Sequence, residues 1–463
     1  MPLEGRRPHM VAWCEETPAV PRSGEPVVTK LHRIAEKARK EPRFKFTSLY
    51  HLMNEELLRE CFEELRNNAA AGIDKVTKGM YAENLDAKLS DLTGRLHRMS
   101  YIPQPVRRTY IPKPGSDKQR PLGIPILEDK LVQAGLVRIL EAVYEQDFIG
   151  DSYGFRPHRS CHNALRALSD TVERKPVNYI VEADIKGFFD HVNQEWLLKF
   201  LEHRINDKRI LRMVKRFLKA GVHEDGKTTV SDEGTPQGGV ISPLLANIYL
   251  HYALDLWFEK VFRKSCTGTA RLIRYADDFV VCFQYKAEAE RFHREVETRL
   301  GKFGLEMEPT KTRVVEFGRF AVQNTKQKGT RAETFDFLGF THYCSTRKNG
   351  QGFRMKRVTS RKKFTAKLKG FKEWLKKART MKTKDLWETA KAKLRGHYAY
   401  YGVTDNTPGI SRFDEEVKNL LFKWLNRRGK RWNLSWQKFK EMLKRFPLPA
   451  PRITVSMFET SVN

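Results

Sequence analysis

Residues Arg271 to Phe283 read RLIRYADDFVVCF, two apolar runs separated by a pair of adjacent aspartates. Strand interiors disfavour Asp, and a buried carboxylate is costly unless something compensates its charge. The pattern predicts a β-hairpin with Asp277 and Asp278 at its tip. Side chains alternate along an extended chain, so consecutive acids share a face only where the turn re-aims one of them. An ordinary Asp-rich turn has the same local sequence.

A third acid narrows the choice. Asp184 ends YIVEAD, which reads as a buried strand, and Gly187, Phe188 and Phe189 follow. Alone, Asp184 is equally a strand-end residue capping the next turn. Together, three carboxylates at strand ends suit two Mg2+ ions, which take hard oxygen ligands and keep substrate phosphates as further ligands. Two metals about 3.5–4 Å apart activate a 3′-hydroxyl and stabilise a leaving pyrophosphate. On this reading metal offsets the charge of the aspartates.

Other segments supply candidate partners for that chemistry. Lys113 and Arg120 lie in IPKPGSDKQRPLGIP, a proline-stiffened extended segment. They suit a clamp on the β- and γ-phosphates, or a solvated basic hairpin. In EGTPQGGVISPLLANIYL, Gly234, Gly238 and Gly239 let backbone approach a ligand closely, and Gln237 offers amide groups. Phe189, five residues beyond Asp184, is placed either to clash with a ribose 2′-hydroxyl or to fill a core. Lys311, after the Pro-Thr turn of GLEMEPTKTRVVEF, is either a proton donor to pyrophosphate or a surface lysine.

Charge points the same way. The net charge is +30, which calls for a polyanionic partner, nucleic acid before anionic membrane. From Thr341 to Asn463 there are 31 Lys/Arg against 9 Asp/Glu, leaving only +8 for the preceding 340 residues, so the basic tail is the main gripping surface. SRKKFTAKLKGFKEWLKKA puts Phe364, Leu368, Phe371 and Leu375 at helical spacing among lysines. GHYAYYGV and FKWLNRRGKRWNLSWQKFK interleave aromatic and basic residues. Six scattered cysteines with no C-x-x-C exclude a disulfide framework or zinc ribbon and imply a reducing compartment. HRSCH, at 158–162, reads as structural. No apolar run is long enough for a membrane span.

Helical periodicity is expected over 47–70, with Leu49, Leu52, Met53, Leu57 and Cys61 on one stripe. Strand and helix patterns then mix without regular alternation, which favours an α+β class over a doubly wound sheet.

Taken in order, IPKPGSDKQRPLGIP, SYGFRPHRSCHNAL, VEADIKGFFD, GTPQGGVISPLLANIYL, RYADDFVV, LEMEPTKT and FDFLGF resemble the successive motifs of group II intron reverse transcriptase/maturases. LYHLMNEELLRECFEELRNNAAAGID is similar to that family's N-terminal extension block, and KLRGHYAYYGV to its maturase signature. The resemblance spans roughly residues 45 to 450. It implies a right-hand polymerase of fingers, α+β palm with an antiparallel sheet, and helical thumb. Residues 1–44 would form an extension, 45–344 fingers and palm, 345–405 the thumb/maturase region, and 406–463 a basic nucleic-acid-binding region. By motif match, Asp184, Asp277, Asp278 and the Ile185 backbone hold two Mg2+ (Mn2+ a substitute). Lys113, Arg120 and Gln237 contact the dNTP, Phe189 gates the sugar, and Lys311 is the general acid. The implied partners are group II intron RNA, target DNA with a primer 3′ end, and dNTPs, with no membrane. The implied setting is a bacterial cytoplasm, at the nucleoid.

Many members of the family end in a Cys/His-rich endonuclease domain. This sequence stops at FPLPAPRITVSMFETSVN without such a cluster. Second-strand cleavage is therefore not expected of it, and a primer would come from a nick or replication fork made elsewhere. Four other readings remain at this stage. The intact Asp184, Asp277 and Asp278 argue against a splicing factor with a dead polymerase. The tail signature argues against a reverse transcriptase of a defence or diversification system. Phe189 speaks against an RNA-dependent RNA polymerase, and the upstream motifs against the 361–379 helix serving as a membrane anchor.

Overall fold

The computed structural model describes residues 26–112, 119–229, 233–234, 238–327, 329–347, 350, 352–427 and 434–458. Along the chain, β1 (Val106–Pro112) and β2 (Gln119–Ile124) form an antiparallel hairpin in which Ile111 faces Arg120. Pro121 is accommodated because β2 lies at a sheet edge, where it needs no ladder N–H. Next come β3 (Tyr179–Asp184) and the short pair β4 (Val222–Glu224) and β5 (Lys227–Thr229), which joins the first hairpin in the order β2-β1-β4-β5. The hairpin of β6 (Ala270–Tyr275) and β7 (Asp278–Phe283) follows, then β8 (Arg313–Glu316). These complete a central antiparallel sheet ordered β6-β7-β3-β8. Finally β9 (Phe335–Phe337), β10 (Phe340–Thr346) and β11 (Phe353–Thr359) make a three-stranded meander.

The central sheet separates two cores, and strand alternation decides which residue enters which. Val181, Ala183, Leu272, Phe279 and Val281 enter a core built with the Leu127–Tyr144, Ser242–Leu250 and Lys286–Gly301 helices. Ile180, Ile273, Val280 and Cys282 enter the other. That second core is shared with the Cys161–Arg174 helix, the β9–β11 meander and C-terminal helices Arg361–Ala378, Thr383–Tyr401 and Thr407–Leu425. Burial of both faces explains why these strands read as almost continuous apolar runs. The mixed, non-alternating element order matches the α+β expectation.

Two local readings change. The stripe over 47–70 is not one helix: Tyr50–Leu52 forms a 3-10 turn, and a separate helix spans Glu55–Glu64. Asn54 makes the break, because its side-chain Oδ1 accepts the Leu57 N–H at 3.0 Å and caps the new helix. The five apolar residues are still buried, so periodicity identified the core while misjudging the backbone. The helix after the Gly-rich loop also departs from α geometry: Ser242–Leu250 runs on through two π turns, His251–Asp255 and Phe258–Phe262. HRSCH is structural in its contacts. Ser160 caps the Cys161–Arg174 helix, and His162 Nε2 donates to the Tyr400 carbonyl at 2.8 Å.

Replacing Asn54 by Ala removes that cap and is expected to cost about 1 kcal/mol, read as a lower denaturation midpoint. An unchanged midpoint would mean that burial of Leu57 and Cys61 alone fixes the helix start.

Candidate active site

Asp184 is the last residue of β3 and Asp278 the first of β7, and the two are direct register partners. Opposed residues on antiparallel strands have Cα atoms about 4.5–5.5 Å apart. Asp277 is outside the strand. Tyr275 pairs with Asp278, leaving Ala276 and Asp277 as a two-residue turn, with Ala276 at φ +58°. The turn therefore does what alternation alone forbids and brings both neighbouring acids to the end of β3.

The electrostatics record this convergence. Burial raises the Asp277 carboxyl above its ordinary range and the Asp184 charge adds to it, while Arg120 and Lys311 oppose the shift. Burial, then Asp184, Asp277 and Glu182, hold Asp278 well above that range, against a hydrogen bond from the Leu338 N–H. Lys311 Nζ forms an ion pair with Asp184 Oδ2. Burial works against the Lys311 ammonium, but its bond to Asp184 outweighs burial and raises its pKa.

Lys311 is delivered by local backbone structure. The Asp184 carbonyl accepts the Glu308 N–H at 2.8 Å, Ile185 bridges Met307, and the Lys311 N–H closes a turn onto the Glu308 carbonyl at 3.0 Å. Arg120 is exposed on β2, and its charge is felt at Asp277. Phe189 is half-buried and packs edge-on against the buried Phe188, with ring centroids 5.3 Å apart. Lys113 and Gln237 lie outside the described residues.

The glycine loop approaches the protein's own backbone. A Cβ on Gly234 (φ +81°) would lie 3.0 Å from the Phe189 carbonyl oxygen, and one on Gly238 (φ +108°) 2.4 Å from the Gly123 carbonyl oxygen. Gly234 thus packs on the Phe189 turn and Gly238 on β2.

Sequence reading passed over two participants. Glu182 lies two residues before Asp184, so strand alternation puts it on the same face. Burial raises its carboxyl, while Arg313, at 3.1 Å, pulls the other way. The simple i, i+2 rule would have found it. Leu338 belongs to the β9–β10 turn, where Leu338 (φ +49°) and Gly339 (φ +80°) give the signature of a type I′ hairpin. FDFLGF was visible as a motif, but nothing in it says that a backbone N–H reaches Asp278.

Among the described residues, no three His, Cys, Asp or Glu side chains are already gathered closely enough to chelate an ion. The donor set is nevertheless all hard oxygen, and its burial and mutual repulsion favour an added positive charge. The site thus fits a divalent cation once Asp184 exchanges Lys311 for it.

Comparison with known proteins agrees with this geometry. The family model for reverse transcriptase (RNA-dependent DNA polymerase) matches residues 111–342, half of the chain. The model for the group II intron maturase-specific domain matches 361–442. The chain is similar to the group II intron-encoded protein LtrA of Lactococcus lactis subsp. cremoris, 39% identical over 232 residues, covering 49% of this chain and 38% of LtrA. It is also similar to protein YkfC of Escherichia coli K12, 36% identical over 274 residues, covering 52% of this chain and 71% of YkfC. Nuclear intron maturase 1 of Arabidopsis thaliana is 28% identical over 116 residues, 25% of this chain and 16% of that protein. The matched stretch therefore spans well under half of LtrA.

A carboxyl whose folded pKa is raised binds its proton more tightly in the folded state. Ionisation then removes stability as pH climbs from the unfolded value, about 3.9, through the folded one. Asp278→Asn is therefore expected to melt a few degrees above the parent at neutral pH in EDTA. The gap should close near pH 4 and narrow when Mg2+ is added. A lower melting temperature for the variant at neutral pH would show that repulsion does not dominate there.

Proposed function

The chain belongs to the family of group II intron reverse transcriptases and maturases, and on that premise we propose that it copies RNA into DNA and also binds intron RNA to assist splicing. The observation that carries this reading is the register pairing of Asp184 with Asp278, with Asp277 in the adjoining turn. In right-hand terms the central sheet and its helices are the palm. The β1–β2 hairpin belongs to the fingers, and the helices from Arg361 onward to the thumb and the basic region beyond it. The boundaries proposed from the sequence are 45–344, 345–405 and 406–463, although the second segment begins inside β10.

Asp184, Asp277 and Asp278, with the Ile185 carbonyl, hold two Mg2+ ions, for which Mn2+ substitutes. When bound, the ions activate the primer 3′-hydroxyl and stabilise the charge on the leaving pyrophosphate. The side chains do the rest. With metal on Asp184, Lys311 would be free to turn from that carboxylate to the pyrophosphate. Its ammonium, protonated at neutral pH as lysine ordinarily is, has a proton to give to the pyrophosphate oxygen. Arg120 and Lys113 bind the triphosphate, and Gln237 lies beside the nucleotide. Phe189 selects the deoxy sugar by filling the space of a 2′-hydroxyl. Its backbone contact with Gly234 ties this gate to the glycine loop.

The substrates on this reading are dNTPs, an RNA template and a primer 3′ end on target DNA, in target-primed reverse transcription. Intron RNA is held by the basic C-terminal helices, whose exposed lysines and arginines suit phosphate contacts. No described helix is long and apolar enough to cross a membrane, and the similar proteins in Lactococcus and Escherichia fit a bacterial source.

Primer extension on an RNA template with Mg2+ and dNTPs tests the enzyme reading. Asp277→Ala is expected to lower the rate at least ~1000-fold, on the order of removing a metal's transition-state stabilisation. RNA affinity and splicing assistance should remain nearly intact, because the metals serve only the chemistry. Parallel loss of both activities would contradict this separation. Phe189→Ala is expected to raise ribonucleotide incorporation; unchanged sugar selectivity would remove Phe189 from the gate.

A further inference from the structure

The turn that carries Asp277 is gripped from beneath by buried groups that the proposed chemistry does not use. Ala276 sits at φ +58°, a left-handed conformation that is costly for a residue with a Cβ. Arg274, two residues earlier, is fully buried at 0% exposure. Its Nη1 donates to the Ala276 carbonyl at 2.9 Å and to Asn247 Oδ1 at 3.1 Å. Its Nε and Nη2 form a two-pronged bond with the carboxylate of Asp255, itself 0% exposed, at 2.8 and 2.5 Å.

Asn247 closes the circuit on the other side. Its Nδ2 donates to the Gly154 carbonyl at 2.7 Å. Gly154 packs directly on the turn, since a Cβ there would lie 2.3 Å from the Ala276 nitrogen. The chain before Gly154 is held alongside β6 by Tyr153 N–H to the Arg274 carbonyl at 2.8 Å and Arg274 N–H to the Asp151 carbonyl at 2.9 Å. Ala276 is thus fixed at its nitrogen by packing and at its carbonyl by a guanidinium.

The π turn has a role in this arrangement. Residues eight apart on an α-helix, at about 100° per residue, are about 80° out of line. The wider His251–Asp255 π turn takes up the excess rotation. Asn247 and Asp255 therefore both reach one guanidinium, as their bonds to Arg274 show.

A buried ion pair is weak evidence of stabilisation, because desolvation offsets the attraction. A rigid fork aimed at one strained peptide has a more specific use. We propose that Arg274, oriented by Asp255 and Asn247, is a positioning residue that holds Ala276 in its left-handed conformation and so aims the Asp277 carboxylate at the metal site. This rests on the reading of Asp277 as a metal ligand.

The test is Mn2+ binding to the metal-free full chain, followed by electron paramagnetic resonance, with Asp277→Ala to mark the site's own signal. Arg274→Lys keeps the charge and loses the fork, and is expected to weaken Mn2+ binding roughly tenfold, as loss of an outer-shell partner does. Asn247→Ala, which spares the ion pair, should weaken it measurably but by less than the ~10-fold lower end of that effect. Glycine adopts the left-handed conformation freely, so adding Ala276→Gly should recover most of the affinity lost in either background while changing the parent little.

Unchanged Mn2+ affinity in both Arg274→Lys and Asn247→Ala would overturn the proposal. So would an equal effect of Ala276→Gly in every background. Thermal melts report folding, and should Arg274→Lys not fold, Asn247→Ala with and without Ala276→Gly decides alone. Primer extension on the same samples separates the two readings. A parent that binds Mn2+ but makes no DNA refutes the polymerase, while the Mn2+ comparison still decides the clamp. A parent with no Asp277-dependent Mn2+ signal refutes both.

Discussion

Three carboxylates held together at one end of a four-stranded sheet set the terms for what surrounds them. Asp184 and Asp278 cannot drift apart, because six consecutive residue pairs, Tyr179 with Phe283 through Asp184 with Asp278, lock their strands in register. A slip of one residue in β3 would turn the face that carries Glu182 into the core that Val181 and Ala183 fill, burying charge there. Hydrophobic burial on both sides of the sheet thus maintains an electrostatic conflict at its edge. Lys311 on Asp184, Arg313 on Glu182 and the Leu338 N–H on Asp278 relieve part of it. Burial and the repulsion that remains show in the raised pKa values of Asp277 and Asp278.

The relieving groups come from distant parts of the chain, and this links the acidic site to the C-terminal half. The β9–β10 turn that supplies the Leu338 N–H is itself held by the Tyr400 hydroxyl, which donates to the Leu338 carbonyl at 2.9 Å. Tyr400 lies in the GHYAYYGV segment, and its own carbonyl receives the His162 bond from HRSCH. Three motifs far apart in sequence therefore meet within three hydrogen bonds of a catalytic candidate. They do so inside the second core, to which the basic helices contribute their apolar faces. Phe371 and Leu375 point inward while the lysines around them stay exposed, so one helix serves both packing and charge presentation.

Much of this was legible beforehand because it follows from short-range rules. Alternating and continuous apolar runs gave β3, β6 and β7, and the acids at their ends located the site. Charge counting placed the basic surface in the last quarter of the chain. The misreading over 47–70 is instructive in its cause. The apolar spacing of Leu49, Leu52, Met53, Leu57 and Cys61 correctly reported burial, but Asn54 competes locally for the Leu57 N–H and restarts the helix. Glycines 234 and 238 signal a close backbone approach in the sequence, and in the structure both lie against neighbouring protein backbone. A glycine in a sequence announces a close approach without saying what approaches.

The sequence by itself determined the class of fold, the three acids, the basic tail and the family, because each rests on periodicity, composition or motifs along a contiguous segment. Tertiary structure alone decided that Asp184 faces Asp278, that Lys311 bonds to Asp184, and that Arg274, Asp255, Asn247 and Gly154 converge on one peptide. The physical reason is range. Backbone propensity acts over a few residues, whereas strand register and charge pairing join residues more than a hundred apart, 127 in the Lys311–Asp184 bond. Such pairings acquire their energies only once two cores have closed around the sheet.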